Sequence, residues 1–208
     1  MHYILAMSAV HYFSDLPAGD FKPKTIAVNI DGKTVQVQTA GGIFSPDHID
    51  AGTAVLLKHL ELAPASGDLL DIGCGWGPIA LSLASHSPET TVWAIDVNER
   101  SLELTRRNAD ALGLKNVRVC RPDEVPSEVS FAGIWSNPPI RVGKDELHGI
   151  LQIWLPRLGA AAEAYLVVQK NLGADSLQRW LNESFEALVT DRLDTEKSFR
   201  VLRVVSRD

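Results

Sequence analysis

Three short stretches of the chain carry residue types that could do chemistry together. The first is Leu69-Leu70-Asp71-Ile72-Gly73-Cys74-Gly75-Trp76-Gly77-Pro78. Glycines closely spaced after an apolar run allow tight backbone angles and let a ligand approach the main chain with no Cβ in the way. The spacing is Gly-x-Gly-x-Gly with an Asp two residues ahead, not Gly-x-Gly-x-x-Gly, and no Gly-Lys-Ser/Thr marks a Walker phosphate loop. Asp71, Gly73, Cys74, Gly75 and Gly77 are therefore candidates to surround a ligand. The second stretch is Trp93-Ala94-Ile95-Asp96-Val97-Asn98. An acidic residue at that strand end can accept hydrogen bonds from a ribose diol. It can equally cap the helix that follows, a task Asn98 is also suited to. The third is Ser136-Asn137-Pro138-Pro139-Ile140. The two prolines donate no backbone hydrogen bond and hold the chain extended. Asn137 then stands at a strand end with an amide oxygen able to accept from a planar amino group; the other reading is a rigid Asn-Pro turn.

These stretches need a frame to bring them together, and the hydrophobic pattern supplies one. Apolar runs suited to strands fall at Leu69–Ile72, Thr91–Ile95, Val117–Cys120, Phe131–Trp135 and Ala164–Val168. Helical spacing lies between most of them, at Ile79–Ser85, Glu99–Leu112, Lys144–Leu158 and Asp175–Leu188. Short apolar strands alternating with helices predict right-handed βαβ crossovers and a parallel sheet covered on both faces. In such sheets ligands bind beyond the carboxyl ends of the strands, which is where the three chemical stretches sit. Ala187–Leu193 and Phe199–Val205 follow one another with no helix between, so the sheet is expected to end antiparallel. Ahead of the repeating unit, Thr25–Ile30 and Thr34–Thr39 flank Asp31-Gly32, a hairpin signal, and Asp50–Leu62 has helical spacing with Asp50 as its cap. Residues 1–49 are read as an N-terminal segment with a hairpin packed on a main domain of residues 50–208.

Composition narrows the class. A chain of 208 residues, 45% hydrophobic and 22% charged, suits one α/β domain. No apolar run approaches the ~20 residues that cross a bilayer. The mildly apolar opening from Met1 to Met7 lacks a basic leader, so no signal peptide is read there, and Met7 is a second candidate start. Cys74 and Cys120 form no disulfide framework and no Cys/His spacing resembles a zinc site. A reduced, cytoplasmic protein without membrane or metal partners is the expectation. A formal charge of −6 argues against binding nucleic acid by charge alone, although a local basic rim can sit on an acidic body.

Taken together, the three stretches resemble the class I S-adenosylmethionine-dependent methyltransferases. More narrowly, the chain resembles the small-domain family that acts on ring or amide nitrogens through an Asn-Pro-Pro-aromatic motif, and within it the catalytic domain of the bacterial 16S rRNA guanine-N2 methyltransferases. The likeness runs from His11-Tyr12-Phe13 to Arg203 and includes Gly42-Ile43-Phe44-Ser45, Asp50-Ala51-Gly52-Thr53, Arg141-Val142-Gly143-Lys144 and Val167-Val168-Gln169-Lys170. It implies a Rossmann-like α/β fold with a seven-stranded, mostly parallel sheet. Counted from the strand at Leu69, the implied order is 3-2-1-4-5-7-6 with strand 7 antiparallel. It also implies that Asp71, Gly73, Cys74, Gly75 and Gly77 surround the methionine part of the cofactor, that Asp96 takes its ribose beside Val97 and Asn98, and that Asp123 lies near the adenine. Members of the rRNA type carry a further methyltransferase-like domain ahead of the catalytic one, and many place Tyr or Phe where this chain has Ile140. An Ile offers apolar contact but no stacking face.

The resemblance implies in-line methyl transfer to the exocyclic N2 of a guanine in ribosomal RNA. Asn137, Pro138, Pro139 and Ile140 would form the catalytic turn, with the amine held by the Asn137 side-chain oxygen and the Pro138 carbonyl. A base in structured RNA would first leave its stack. Phe44, Ser45, Arg141, Lys144 and Lys170 are candidates to touch the substrate, the cations through phosphates, with Lys22 and Lys24 in reserve. The alternatives keep the donor and change the acceptor to adenine N6, a protein glutamine amide or a small amine. A catalytically silent cofactor-binding module is a further alternative, and a nucleotide-dependent oxidoreductase is disfavoured by the glycine spacing.

Overall fold

The structure, a computed structural model, describes residues 21–139 and 143–207. Met7, His11-Tyr12-Phe13, Ile140, Arg141 and Val142 lie outside the described residues. Strands β1 (Lys24–Ile30) and β2 (Lys33–Thr39) pair antiparallel in register Ile30↔Lys33. Asp31 and Gly32 both take positive φ, 47° and 79°, as a two-residue type I′ turn requires. Main-sheet strands follow as β3 (Gly67–Ile72), β4 (Thr90–Ile95), β5 (Val117–Cys120), β6 (Phe131–Ser136), β7 (Leu158–Gln169), β8 (Leu188–Glu196) and β9 (Phe199–Ser206). Their spatial order is β5-β4-β3-β6-β7-β9-β8, which counted from β3 is the implied 3-2-1-4-5-7-6. Pairing is parallel from β5 through β7, and β9 runs antiparallel to both β7 and β8.

Because successive side chains of a strand point to opposite faces, each strand feeds two cores. Leu70 and Ile72 join Ile134, Leu166, Val168 and Leu202 on one face, under helices α4 (Lys144–Trp154) and α5 (Ala174–Ser184). Leu69 joins Val92, Ala94, Trp135, Tyr165 and Val201 on the other, under α1 (Ala51–Leu56), α2 (Pro78–His86) and α3 (Glu99–Ala111). Asp71 follows the parity of Leu69 and points at α2.

Several element ends differ from the sequence pattern, each for a local reason. The helix expected over Asp50–Leu62 is α-helical only to Leu56; a 3-10 stretch, Leu57–Leu62, continues it and kinks at His59 (φ −101°, ψ 21°). Helix α4 stops at Trp154, short of Leu158, because Pro156 has no N–H to extend it. Helix α5 begins after Gly173 (φ 102°) and ends where Phe185 turns extended. Strand β7 is much longer than its apolar core, since Gly159-Ala160-Ala161-Ala162 forms a bulge, with Ala161 at φ 55°, between the pairs Phe131↔Leu158 and Gly133↔Glu163.

The hairpin packs on the sheet-covering helices. Val28, Ile30, Val37 and Ala40 form one cluster with Trp76, Leu81, Leu104 and Ala109. Asn108 of α3, almost fully buried, completes the joint. Its side chain accepts from Gln38 N (2.6 Å) and donates to Gln38 O and Trp76 O (both 2.9 Å), so one amide ties β2, α3 and the glycine turn. Satisfying three polar groups in a dry setting is what makes such a side chain hard to replace. Among the described residues no helix is long and apolar enough to cross a membrane.

Candidate active site

Strand β3 gives way to the glycine turn at the level where β4 and β6 also end, and backbone groups beyond the sheet find new partners there. Gly73 N and Cys74 N both donate to Ile95 O at 2.9 Å, and Ser136 Oγ donates to Ile72 O at 2.8 Å. Gly73 and Gly75 take φ of 77° and 59°, and a Cβ on either would enter open space rather than protein. A side chain there would occupy the groove a ligand needs, so the two positions form a cradle. Gly77 differs: at φ 100°, its missing Cβ faces Thr105 Cγ2 and Leu81 at 3.1–3.2 Å, between α2 and α3.

Asp71 is fully buried beneath this turn. One carboxyl oxygen accepts from Ala80 N at 2.9 Å near the start of α2, and the other has no partner among the described groups. Burial, reinforced by the Asp96 carboxylate and opposed by the Ala80 N–H, pushes its pKa from 3.8 up to about 8. Burial likewise holds the Cys74 thiol well above its ordinary range, which makes it an inert wall.

Asp96 spans two turns with one carboxylate. Oδ2 accepts from Gly75 N and Oδ1 from Asn98 N, each at 2.9 Å. The Val97 N–H and the Ser101 hydroxyl bond to the same carboxylate, so a ribose diol would share or displace one of these contacts. Burial raises this carboxyl too, against the backbone N–H groups that lower it. Asn98 is the cap of α3, accepting from Arg100 N at 2.9 Å, and its amide nitrogen donates to Gly42 O at 3.0 Å. The capping role and the acidic strand end thus belong to separate residues. Val97 O accepts from Arg121 at 3.4 Å, and that guanidinium also holds Glu99 and Asp123 (2.7 and 3.5 Å). Asp123 is exposed, in the 3-10 turn Pro122–Glu124.

Asn137 follows β6 directly. Its amide nitrogen donates to Asp50 Oδ2 at 2.9 Å and to Thr53 Oγ1 at 3.0 Å. An ionised carboxylate only accepts, which fixes which edge of the amide faces Asp50. Asp50 is at the same time the N-cap of α1, receiving Gly52 N at 2.8 Å. Phe44, Ser45, Asp50, Thr53, Gly73, Cys74, Gly75 and Asn137 line one cleft, floored by Trp76, Pro78 and Ile79. The cavity there is about 20 Å³, room for a water, with the Phe44–Ser45 loop in its lining. That loop is held from beneath. Trp76 Nε1 donates to Ser45 O at 3.2 Å, and Ser45, at φ 46°, donates its hydroxyl to His48 O. Phe44 is 59% exposed, an apolar ring left on the rim.

The sequence-predicted cations lie apart from this cleft's lining. Lys144 opens α4 and Lys170 follows β7, both exposed, while Lys24 is paired with Asp47. A larger recess of about 590 Å³ between the hairpin and the α2 and α3 ends is lined by Ile30, Val35, Leu112 and Leu114 and carries only Lys33 and Lys115 as charges. Among the described residues no group of His, Cys, Asp or Glu is placed to hold a metal. Asp50 and Thr53 are the site residues that sequence reasoning missed. Asp50 was visible as a helix cap and, with Thr53, within a segment of family resemblance, but nothing in spacing connects either with Asn137.

Residues 34–203 match the family model described as "Methyltransferase small domain". The chain belongs to the methyltransferase small-domain family. Members of this small-domain family use S-adenosylmethionine. The chain is 38% identical over 179 residues to "Uncharacterized protein YbxB" of Bacillus subtilis, covering 85% of this chain and 89% of that one. It is 31% identical over 158 residues to ribosomal RNA small subunit methyltransferase C of Acinetobacter baumannii, covering 72% of this chain. The match spans only 46% of that relative's length, and 32% of the Pseudomonas putida counterpart, which is 37% identical over 111 residues. Among solved structures, the fold is shared with the Thermus thermophilus 16S rRNA N2 methyltransferase RsmC in complex with AdoMet and guanosine. That likeness has a TM-score of 0.78 and 23% identity, and covers 92% of this chain and 52% of the other. TrmN from Thermus thermophilus is more distant, with a TM-score of 0.57 and 24% identity over 74% of this chain and 47% of the other.

Asp71 yields a pH test. Its folded-state pKa of about 8 lies above the unfolded 3.8, so the folded chain holds a proton that the unfolded chain releases. The contribution is fully present below about pH 4 and is lost as the pH rises to about 8. The Tm of Asp71→Asn, which cannot ionise, should therefore gain on the parent between about pH 5 and about pH 8 by thermal melts. A constant difference across that range would refute a protonated Asp71.

Proposed function

We propose that this S-adenosylmethionine-dependent methyltransferase modifies the exocyclic N2 of a guanine in ribosomal RNA. The observation that carries the reading is Asn137, set at the end of β6 beside Gly73, Cys74 and Gly75 in one cleft, with its amide nitrogen already engaged. What remains of that amide is an acceptor, the complement of an amine. The fold it shares with an RNA methyltransferase whose structure holds AdoMet and guanosine, and the sequence likeness to small-subunit rRNA methyltransferases, support the choice of acceptor.

The open cradle of Gly73 and Gly75 fits the methionine end of the donor, with Cys74 as its wall and Asp71 and Gly77 setting the turn from behind. Asp96 is assigned the ribose hydroxyls, and Val97, Asn98 and Asp123 the side where the adenine lies. When bound, the donor supplies an activated sulfonium methyl, and little is asked of the protein beyond alignment. Asn137 Oδ1 and the Pro138 carbonyl accept from the exocyclic amine. Two acceptors on its N–H groups draw its lone pair out of conjugation with the ring and aim it. Pro139 and Ile140 are assigned to the catalytic motif by their place in sequence. Phe44 offers the flat apolar face that Ile140 does not, to a base that has left its stack. Ser45 fixes the loop carrying that ring. Arg141, Lys144 and Lys170 are assigned phosphate contacts, which lets an acidic chain bind RNA locally. On this reading the protein works in the cytoplasm, on ribosomal RNA or the small subunit.

Four measurements test the assignment. Tritiated-methyl transfer to undermodified small subunits, naked rRNA, tRNA and cell extract, followed by nucleoside mass spectrometry, should yield N2-methylguanosine in rRNA. Asn137→Ala should lower the rate about a hundredfold or more while donor binding by calorimetry is retained. Full activity in that variant would sink the mechanism; methyl on adenine, glutamine or a small amine would replace the acceptor. Phe44→Ala should raise the acceptor KM roughly tenfold if the ring stacks on a base, and an unchanged KM removes it from the substrate path. Arg141→Ala combined with Lys144→Ala should weaken RNA binding and flatten its salt dependence by about one unit of slope per lost phosphate contact. Binding indifferent to both substitutions argues against the basic rim.

A further inference from the structure

We propose that Asp50 and Thr53 are positioning residues that hold the Asn137 amide with its oxygen available to the acceptor amine, an inference that rests on the role given to Asn137 above. An asparagine side chain has two chemically opposite edges and rotates easily between them, so an unrestrained Asn137 would present donors as readily as an acceptor. Here both N–H groups of Nδ2 are engaged, one by a carboxylate and one by a hydroxyl, at 2.9 and 3.0 Å. Turning the amide over would set Oδ1 against the acceptor-only Asp50 Oδ2. The flipped state loses the bond to Asp50 and gains a repulsion there, while the Thr53 hydroxyl can accept or donate, so Asp50 sets the orientation and Thr53 supports it.

Helix capping alone does not account for this arrangement. An N-cap needs one side-chain oxygen, which Ser, Thr or Asn would supply as well. Asp50 uses a single oxygen, Oδ2, for Gly52 N, Thr53 N and Asn137 Nδ2, so the start of α1 and the end of β6 are bolted to one atom. The neighbouring glycine belongs to the same device. A Cβ on Gly52 would lie 3.0 Å from Asp50 Oδ2 and 2.9 Å from Phe199 Cε1, so a side chain there would push the carboxylate off its place. Thr53, buried, brings its hydroxyl to the second proton. The segment Asp50-Ala51-Gly52-Thr53 thereby acts on specificity as well: a fixed acceptor selects a donor, an N–H, and rejects an isosteric carbonyl.

The decisive variant is Asp50→Ser combined with Thr53→Val. Serine remains a competent N-cap but is too short to reach Asn137, and valine keeps the threonine's shape without its hydroxyl. Two readouts are taken on the full chain. In the free protein, the side-chain amide proton pair of Asn137, identified by its loss in Asn137→Ala, should move in a nitrogen-15 correlation spectrum to the position of an unrestrained amide. In turnover, kcat should fall about tenfold or more with donor Kd unchanged, and Thr53→Ser, which restores the hydroxyl, should recover most of the loss due to Thr53→Val. Amide signals that stay put overturn the proposal, and so does a moved signal with kcat within twofold of the parent. If the signals move but the parent methylates no guanine, the holding contact stands and the acceptor proposed above falls.

Discussion

Parallel strands that stop at one level leave a row of backbone donors and acceptors with no neighbour to continue the ladder. At the ends of β3, β4 and β6 that row is closed from within the chain. Ile95 O receives two consecutive amides of the glycine turn, Ser136 Oγ reaches Ile72 O, and the Asp96 carboxylate takes Gly75 N and Asn98 N. The parallel register puts Asp71 opposite both Ala94 and Trp135, so the three turns emerge side by side. The site's geometry follows from that register. A slip of one residue would exchange the faces of a strand and turn Asp71 and Leu69 toward the wrong helices.

The site is built from two parts, one anchored in the sheet and one in a loop. Glycine turn and acidic strand end are anchored to the sheet core. The Phe44–Ser45 segment belongs to a loop outside the sheet, tied by side-chain contacts to Trp76, Asn98, Thr39 and Lys24. A rigid floor suits alignment of a small activated group, where a displacement of an ångström is costly. On the proposed reading, a more open rim suits a large acceptor whose base is extruded. The hairpin, tied in through Asn108, stiffens the floor rather than the rim, because the same amide holds Trp76 O.

How much of this was legible beforehand depends on whether a feature is local. The apolar runs at Leu69–Ile72 and Phe131–Trp135 read as strands because burial on both faces leaves them continuous. Asn98 and Asp50 read as caps because capping chemistry is confined to a few neighbouring residues. Strand order came from family resemblance, as periodicity carries no information about lateral neighbours. The extension of β7 through Ala160–Ala162 was hidden since alanine has little preference for strands, and these residues form a bulge between the pairs Phe131↔Leu158 and Gly133↔Glu163, which leaves no alternation to read. The bond from Asn137 to Asp50 joins residues far apart in sequence, and each had a sufficient local explanation already. A residue doing two tasks shows only the nearer one in sequence.

The position of β9 has a bearing on how the chain comes to be folded. It is inserted between β7 and β8, yet follows both in the chain. During synthesis β7 therefore emerges with Val167 and Val168 on an open, untemplated edge, and β8 has no strand to join until Phe199–Ser206 arrives. The late strand also delivers Phe199 against Gly52, beside the Asp50 carboxylate. The nascent protein thus completes its sheet and seats Phe199 beside the Asp50 cap in the same event, so the arrangement proposed to hold Asn137 forms only once the open edge of β7 has been covered.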